Sequence, residues 1–192
     1  MNNTKLDRRV LRTKQQIRQA IVELLSEKDA NSITVRELAE HAGINRGTFY
    51  IHYNDINDLL EQLVNEASEK VCEVCQKYPP EETPSDSYPF LTDMFQMLKD
   101  DPQLFNVLLA NNGSQSYAER ICLMLQENYL DKLLQLYFPA DPQRCHFASG
   151  FIVAGCVHQA LLWLNTGTVE TPEEMAQITG DLIMHGIHAL QI

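Results

Sequence analysis

Residues 34–53, TVRELAEHAGINRGTFYIHY, constrain the fold more than any other part of the 192-residue chain. Thr34 and Glu37 form a capping-box pattern, in which the Thr hydroxyl accepts a hydrogen bond from a backbone N–H of the first turn, so a helix is predicted to begin there. Gly43 follows the last apolar position of that helix, and glycine enters the left-handed conformation that ends helices without a steric penalty. Asn45 is predicted to cap a second helix. Helix, glycine turn and helix is the pattern of a helix-turn-helix motif.

The start and outer side of the second helix carry polar and aromatic side chains that are typical of a DNA-binding surface. In helix-turn-helix proteins the first residues of the second helix reach base edges, so Arg46 and Thr48 are predicted to read bases. Hydroxyl and imidazole groups nearby are better suited to phosphates. The predicted DNA-binding residues are Thr34, Asn45, Arg46, Gly47, Thr48, Tyr50, His52 and Tyr53.

The rest of the chain shows apolar residues at helical spacing and no strand-like alternation in its second half. The predicted fold class is all-α, with an N-terminal three-helix head that contains the helix-turn-helix and a C-terminal helical bundle. We expect a DNA-binding domain over 1–54, a linking helix over 55–77, and an effector-binding and dimerisation domain over 78–192. The remaining helices are predicted over 9–27, 89–99, 102–110, 114–138, 142–166 and 172–190.

Charge is distributed unevenly along the chain. Residues 1–54 hold nine Lys and Arg against six Asp and Glu, a balance of +3, whereas the remainder holds six against twenty, or −14. A locally basic surface can still bind DNA, because phosphates act mainly within a Debye length of about 8 Å at physiological salt. The polar N-terminus lacks the apolar run of a secretory signal, and the five cysteines form no regular framework, so a cytoplasmic protein with reduced thiols is expected.

Many positions between Asp7 and Ala67 match one known pattern. They are Thr13, Ile17, Ile33-Thr34-Val35, Leu38-Ala39, Ala42-Gly43, Thr48-Phe49-Tyr50, His52-Tyr53 and Leu59-Leu60. The block resembles the TetR/AcrR family of transcriptional regulators, and its opening Asp7-Arg8-Arg9-Val10 is similar to a subgroup that includes regulators of dihydroxyacetone kinase operons. Many family members carry a phosphate-binding lysine shortly after the recognition helix, and the corresponding segment Asn54-Asp55-Ile56 holds none.

The segment from Phe147 to Leu164 is apolar almost all round, interrupted only by Ser149, His158 and Gln159. A membrane span needs about 20 apolar residues, but the polar pair at its middle argues against lipid. A helix covered by its own domain on one side and by a second subunit on the other has the same composition. The resemblance also implies a dimer built by the last two helices. The predicted interface residues are Gly150, Ala154, Gly155, Leu182 and Gly186.

Large apolar side chains in the second half could line a ligand pocket, although most of these residue types also occur in plain cores. The predicted pocket residues are Met94, Met97, Phe105, Tyr117, Ile121, Met124, His158 and Trp163. No cofactor and no metal site are expected, because Cys72 and Cys75 lack a second pair at zinc-site spacing and Cys145 and Cys156 lie about 16 Å apart along a helix. The sequence carries no phosphate-binding glycine loop or nucleophile motif, so no catalytic residue is assigned.

These observations favour a dimeric DNA-binding transcriptional regulator that binds double-stranded operator DNA and a small-molecule effector of unidentified structure. A repressor released by a hydrophobic or amphipathic effector is the leading hypothesis. An activator or co-activator of a metabolic operon is the alternative within the same class. The alternative from another class is an all-α ligand-sensing or redox-sensing protein that does not bind DNA.

Overall fold

The computed structural model describes residues 3–81, 88–110 and 117–185, and every regular element within them is helical. The helices are α1 (Asn3–Glu27), α2 (Val35–His41), α3 (Arg46–His52), α4 (Ile56–Lys77), α5 (Tyr88–Asp100), α6 (Pro102–Leu109), α7 (Tyr117–Leu125), α8 (Asp131–Tyr137), α9 (Pro142–Asn165) and α10 (Pro172–His185). The predicted all-α class is confirmed. The chain divides into two compact units, the first ending at Asn65 and the second beginning at Glu66, so α4 supplies residues to both.

The first unit is held together by an apolar core in which each helix contributes one face. The stripe on α1 predicted from helical spacing is buried, and it is joined by buried side chains from α2, α3 and the first half of α4. These residues are Ile17, Ala20, Ile21, Leu24, Leu25, Leu38, Ala39, Phe49, Leu59, Leu60, Leu63 and Val64. The predicted start of α1 near Arg9 is wrong, since the helix begins at Asn3. Lysine and arginine are good helix formers, so a polar segment without an apolar stripe can still extend a helix.

The turn between α2 and α3 follows the predicted chemistry. The Thr34 hydroxyl accepts a hydrogen bond from the Glu37 N–H at 3.3 Å, and Gly43 ends α2 with a φ of +65°. The Ile44 N–H donates to the Ala39 carbonyl at 2.9 Å and the Gly43 N–H to the Glu40 carbonyl at 3.2 Å. This pair of bonds is a Schellman motif, which satisfies carbonyl groups that the end of a helix leaves without partners.

In the second unit, α10 lies against α5 at a position that only glycine tolerates. A Cβ atom on Gly180 would stand 2.8 Å from Cδ1 of Tyr88 and closer still to Cε1. The Tyr88 hydroxyl donates to Asp181 Oδ1 at 2.6 Å, which fixes the ring against α10. Close packing of these two helices therefore depends on the missing side chain at Gly180.

The single helix predicted over 114–138 is interrupted, as far as the described residues show. A five-residue π-helical turn, Gln126–Leu130, separates α7 from α8. Side chains of α9 hold both ends of this turn. Gln126 Nε2 donates to the His146 carbonyl at 2.9 Å and to Ser149 Oγ at 3.1 Å, while the Ser149 hydroxyl donates to Asp131.

Candidate nucleic-acid interface and ligand cavity

Helix α3 presents its N-terminus and one side to solvent. The Asn45 side chain caps it by accepting a hydrogen bond from the Gly47 N–H at 3.1 Å. Arg46, Gly47 and Tyr50 are exposed, the last with 58% of its surface accessible. The inward side is anchored by Phe49, whose ring meets Tyr50 edge-on at 5.5 Å between centroids. The predicted base-reading end of the helix is thus accessible and rigidly capped.

The residues predicted to contact phosphates differ in solvent exposure. Thr34 is exposed, and its hydroxyl accepts from the Glu37 N–H, which leaves the hydroxyl hydrogen to donate elsewhere. Thr48 and His52 are half-buried. Tyr53 is only 6% exposed, packed against Phe49 at 5.6 Å between centroids. Any phosphate contact from Tyr53 would have to come from the small accessible part of its side chain.

The structure adds Ile51 to this surface. It is 77% exposed, more than any predicted aromatic on the same helix. Because successive helical residues are about 100° apart, Ile51 points about 200° away from the buried Phe49. That spacing was available from the sequence, but an isoleucine is usually assigned to the core. On DNA, an apolar side chain at this place can contact the methyl group of thymine.

The segment after α3 has no lysine, and its Asn54 is hydrogen-bonded to a carboxylate of α4. Asp58 Oδ2 accepts from the Asn54 backbone N–H at 2.8 Å and from the Asn54 side-chain amide at 2.9 Å. The backbone hydrogen bond from Asn54, followed by one from Gln62, holds the pKa of Asp58 below its usual range. Asp58 is therefore ionised at neutral pH, and it accepts hydrogen bonds from both the backbone and the side-chain N–H groups of Asn54.

A cavity of about 470 Å³ lies within the second unit. Its lining comes from α4 to α10 and from the π-helical turn, and the described lining residues include no Asp, Glu, Lys, Arg or His. The hydroxyl groups of its lining already have partners. Tyr129 donates to the Tyr78 carbonyl at 2.8 Å, and Thr179 donates to the Met175 carbonyl at 2.7 Å. This chemistry suits an apolar molecule, for which pockets of about 300–1,000 Å³ are typical.

Four of the eight predicted pocket residues line the cavity and four do not. Met94, Met97, Phe105 and Ile121 line the cavity, whereas Tyr117, Met124, His158 and Trp163 do not. Met124 is turned to α4, with its sulfur 3.3 Å from the Cys72 sulfur. Trp163 is buried, and its ring meets Phe95, which lines the cavity, edge-on at 5.3 Å between centroids.

Sequence reasoning missed most of the apolar residues that face the cavity from α7, α8 and α9. The lining also includes Val71, Phe90, Leu91, Leu98, Leu109, Leu125, Leu130, Leu133, Leu134, Phe138, Ile152, Val153, Val157, Ala160, Ile183 and Met184. Aliphatic residues on amphipathic helices give no sequence signal that separates a cavity wall from a filled core.

Two of the cysteines have thiols whose pKa is raised to about 11, mainly by burial. Burial raises the pKa of Cys156, which lines the cavity, to about 11. Burial and the neighbouring Cys72 raise the pKa of Cys75 to about 11. Such thiols are protonated at neutral pH and react slowly. Within the residues that the structure describes, no group of three or more His, Cys, Asp and Glu side chains could hold a metal ion.

One side of α9 is apolar and uncovered. Phe147 and Phe151 are 68% and 82% exposed, and Leu162 lies exposed further along the same side. Of the predicted interface residues, Ala154, Gly155 and Leu182 are also exposed. Gly150 lies instead against its own chain, where an added Cβ would stand 3.2 Å from Gln126 Nε2, and Gly186 lies outside the described residues.

Helix α9 is also the one helix in the described part of the chain that could cross a membrane by length and composition. Core helices of soluble proteins pass the same test. Here the other side of α9 is packed within the second unit, where Ser149, Val153 and Trp163 are buried. Packing within the second unit therefore explains part of the apolarity of α9.

Two family models match the chain. The model described as bacterial regulatory proteins, tetR family, matches residues 17–63, which include α2 and α3. The model described as a transcriptional regulator C-terminal region matches residues 85–185, which include most of the cavity lining. Fold and motif together define a helix-turn-helix transcriptional regulator. The chain belongs to the TetR family.

Among curated relatives, the uncharacterized HTH-type transcriptional regulator YxbF of Bacillus subtilis (strain 168) is 33% identical over 67 residues. The match covers 34% of this chain and 18% of YxbF, so the aligned region is about a fifth of that protein's length.

Solved structures share the fold over nearly the whole chain. The fatty acid degradation regulator FadR from Bacillus halodurans has a TM-score of 0.66 at 20% identity, covering 91% of this chain and 96% of its own. FadR from Bacillus subtilis, in complex with stearoyl-CoA, has a TM-score of 0.62 at 20% identity, covering 91% and 99%. The dihydroxyacetone kinase operon activator DhaS has a TM-score of 0.55 at 17% identity, covering 92% and 96%. At sequence identities of 17–20% this likeness shows the fold alone. Membership in the subgroup of dihydroxyacetone kinase operon regulators therefore stays a prediction.

Proposed function

We propose that the protein is a cytoplasmic, dimeric repressor that binds an operator through α3 and leaves it when an apolar ligand occupies the cavity of the second unit. The observation that carries this proposal is that the exposed helix α3 and the ligand cavity lie in different units of one chain. The first unit holds a capped helix with an accessible arginine at its start, and the second holds a cavity whose described lining residues are all uncharged. Helix α4 supplies residues to both.

DNA binding is assigned to the first unit because its exposed α3 residues match the chemistry of base and phosphate contacts. Arg46 can form a bidentate contact with guanine, and each good contact of this kind discriminates by about 1–3 kcal/mol. The base contacts of one such helix discriminate too little to select an operator from a genome. Two copies related by a two-fold axis, with half-sites about 34–36 Å apart or at a multiple of that distance, supply the missing specificity.

The uncovered side of α9 supports a dimer. Its exposed residues Phe147, Phe151, Ala154, His158 and Leu162 recur at intervals of three or four and so form one stripe along the helix. Exposed apolar patches of this kind mark protein interfaces. A second copy of the same stripe is a self-complementary partner, as two-fold symmetry requires. Ile178 and Leu182 extend the apolar surface onto α10.

The effector is proposed to be an uncharged apolar molecule, or a molecule whose apolar portion alone enters the cavity. Burying a charge against a lining without a counter-ion is costly. The fold of this chain is shared with a FadR structure that contains stearoyl-CoA, which supports an acyl chain as one candidate for the buried portion.

The direct test is selection of bound fragments from random DNA, followed by titration of the enriched fragment at several salt concentrations. Binding should weaken steeply with salt, because phosphate contacts release counterions. Retention of no fragment at any salt would favour the alternative of a sensor without DNA binding. An operator that overlaps a promoter supports repression, whereas one placed upstream would favour the activator alternative.

Arg46→Ala tests the assignment of the reading helix. The variant should lose most of the preference for the selected fragment over random DNA, with a cost of about 1–3 kcal/mol on the selected fragment. Arg120→Ala removes the same charge from an exposed position on α7 and should leave the preference unchanged. Equal weakening on both kinds of DNA by Arg46→Ala would make Arg46 a phosphate contact.

A further inference from the structure

Tyr129 joins the ligand cavity to the end of the helix that both units share. Its ring lines the cavity, and its hydroxyl donates to the Tyr78 carbonyl at 2.8 Å. Tyr78 directly follows the last residue of α4. Carbonyl groups at the C-terminal end of a helix lack partners within the helix, so the bond from Tyr129 supplies one that the helix cannot.

The contact is part of an aromatic cluster, which we define as Tyr78, Phe90 and Tyr129. Phe90 also lines the cavity, and it stacks on Tyr129 with 4.7 Å between centroids and 10° between planes. The edge of Tyr78 meets Phe90 at 5.9 Å and 84°. Because the rings touch in series, a ligand that displaces Phe90 or Tyr129 necessarily disturbs the surroundings of Tyr78.

Tyr129 and Leu130 are the last two residues of the π-helical turn, and the residues on either side of the Glu127–Leu130 stretch are held by α9. Gln126 and Asp131 are held by hydrogen bonds from or to Ser149 and His146 of α9. Tyr129 and Leu130, between them, line the cavity. Turns of this kind depart from regular helical bonding and occur often at functional sites. Within this turn, Tyr129 contacts both the cavity and, through its hydroxyl, the residue that follows α4.

A second set of contacts holds the same end of α4 without reaching the cavity. The Tyr78 hydroxyl donates to Asp93 Oδ2 at 2.9 Å, and Lys77 pairs with the same carboxylate. These bonds tie the end of α4 to α5 through side chains that do not line the cavity. The Tyr129 bond, in contrast, is made by a residue of the cavity wall.

We propose that Tyr129 is a positioning residue that reports occupancy of the cavity to the C-terminal end of α4, because an apolar ligand that displaces its ring breaks the hydrogen bond from its hydroxyl to the Tyr78 carbonyl. The inference rests on the proposed effector function of this cavity. It adds the contact through which that function acts.

The test compares wild type with Tyr129→Phe, which keeps the ring and removes only the hydroxyl. The ligand probe is N-phenyl-1-naphthylamine, an uncharged fluorophore that reports its own binding. Amide hydrogen exchange of a peptide spanning 71–81 reports the end of α4. In wild type, the probe should speed exchange in the last turn of α4. In Tyr129→Phe, exchange should be fast without the probe, and the probe should add nothing.

The DNA readout uses the fragment selected by wild type. The probe should change operator affinity of wild type by a factor in the usual range of about 5–150, and the factor should fall toward one in Tyr129→Phe while probe affinity without DNA is retained. Tyr88→Phe is the matched control, since it removes a tyrosine hydroxyl bonded to Asp181 at 2.6 Å and Tyr88 does not line the cavity. It should keep the wild-type factor.

The outcomes separate this inference from the function on which it rests. If the probe binds wild type and shifts its operator affinity, and Tyr129→Phe responds equally, the proposed role of Tyr129 is overturned while the effector function stands. Loss of the response in Tyr88→Phe as well would assign it to general destabilisation and would overturn the role too. Failure of the probe to bind wild type would overturn both. Binding that speeds exchange in 71–81 without any effect on operator affinity would also overturn both, because the end of α4 would then change without acting on DNA.

Discussion

Replacing Gly180 by alanine tests the closest helix contact in the second unit. An added Cβ would lie 2.8 Å from Cδ1 of Tyr88 and nearer to Cε1, well inside the distances that carbon atoms adopt. The ring cannot swing away freely, because its hydroxyl is bonded to Asp181 on the same helix that carries Gly180. The strain must therefore be relieved by a shift of α10 relative to α5.

Two opposing effects set the size of the change. Alanine in place of glycine inside a helix stabilises by roughly 0.5–1 kcal/mol. Overpacking a close contact costs typically about 1–3 kcal/mol. The second effect is larger here because the contact is with a tethered aromatic ring, so Gly180→Ala should lower the free energy of unfolding by about 1–2 kcal/mol.

The sign of the effect should reverse when the ring is removed. In a Tyr88→Ala background, Gly180→Ala leaves only the gain in helix propensity and should stabilise by roughly 0.5–1 kcal/mol. Urea unfolding of wild type, the two single variants and the double variant, at one fixed protein concentration, gives this interaction energy as a double-mutant cycle. Additive changes, or a stabilising Gly180→Ala in wild type, would show that the two side chains do not compete for the same space.

Three further predictions concern the interface, the cavity and the first unit. Phe151→Glu should convert the protein to monomers in sedimentation at micromolar concentration, whereas Leu136→Glu, exposed on α8, should not; a dimeric Phe151→Glu would move the interface elsewhere. Cys156, with a pKa of about 11, should react with iodoacetamide slowly at pH 8, faster as pH rises, and more slowly still when an apolar ligand is bound; insensitivity to ligand would remove Cys156 from the binding site. The hydrogen bond from Lys28 holds the pKa of Glu37 below its usual range, so its stabilising contribution is present above the unfolded pKa of about 4.3 and is lost as pH falls through the folded pKa. The unfolding free energies of wild type and Glu37→Gln should consequently differ at neutral pH and converge in acid; a difference that does not depend on pH would exclude this cause.

The helix-turn-helix could be predicted from sequence because its determinants are local. The caps at Thr34 and Asn45 and the positive φ of Gly43 each depend on residues within one or two turns, and all three are present. The chemistry of that surface was less predictable. Helical spacing places Tyr53 on the inner face with Phe49, where it is buried, yet its hydroxyl was also assigned to a phosphate. Ile51 is exposed, although isoleucine is usually assigned to the core.

The cavity could be predicted only in part, because its walls meet through tertiary packing. Ile121 and Leu125 lie one helical turn apart and both face the cavity, whereas Met124 between them faces Cys72 of α4. Helical spacing gives which residues share a face, but it does not give which neighbour that face meets. The π-helical turn adds a second difficulty, since an extra residue shifts the phase of all later side chains by about 100°.

Affinity for the cavity and regulation by it are separable properties of a ligand. A ligand shifts the equilibrium between two arrangements only by the difference in its affinity for them. A slender molecule that occupies the space between the methionines of α5 without moving Phe90 or Tyr129 gains apolar burial in both arrangements alike, so it binds and regulates nothing. A bulkier molecule that displaces the Tyr129 ring gains less on binding and acts on the end of α4. The natural effector should accordingly be sought among ligands that weaken operator binding, and not among those that bind the cavity most tightly.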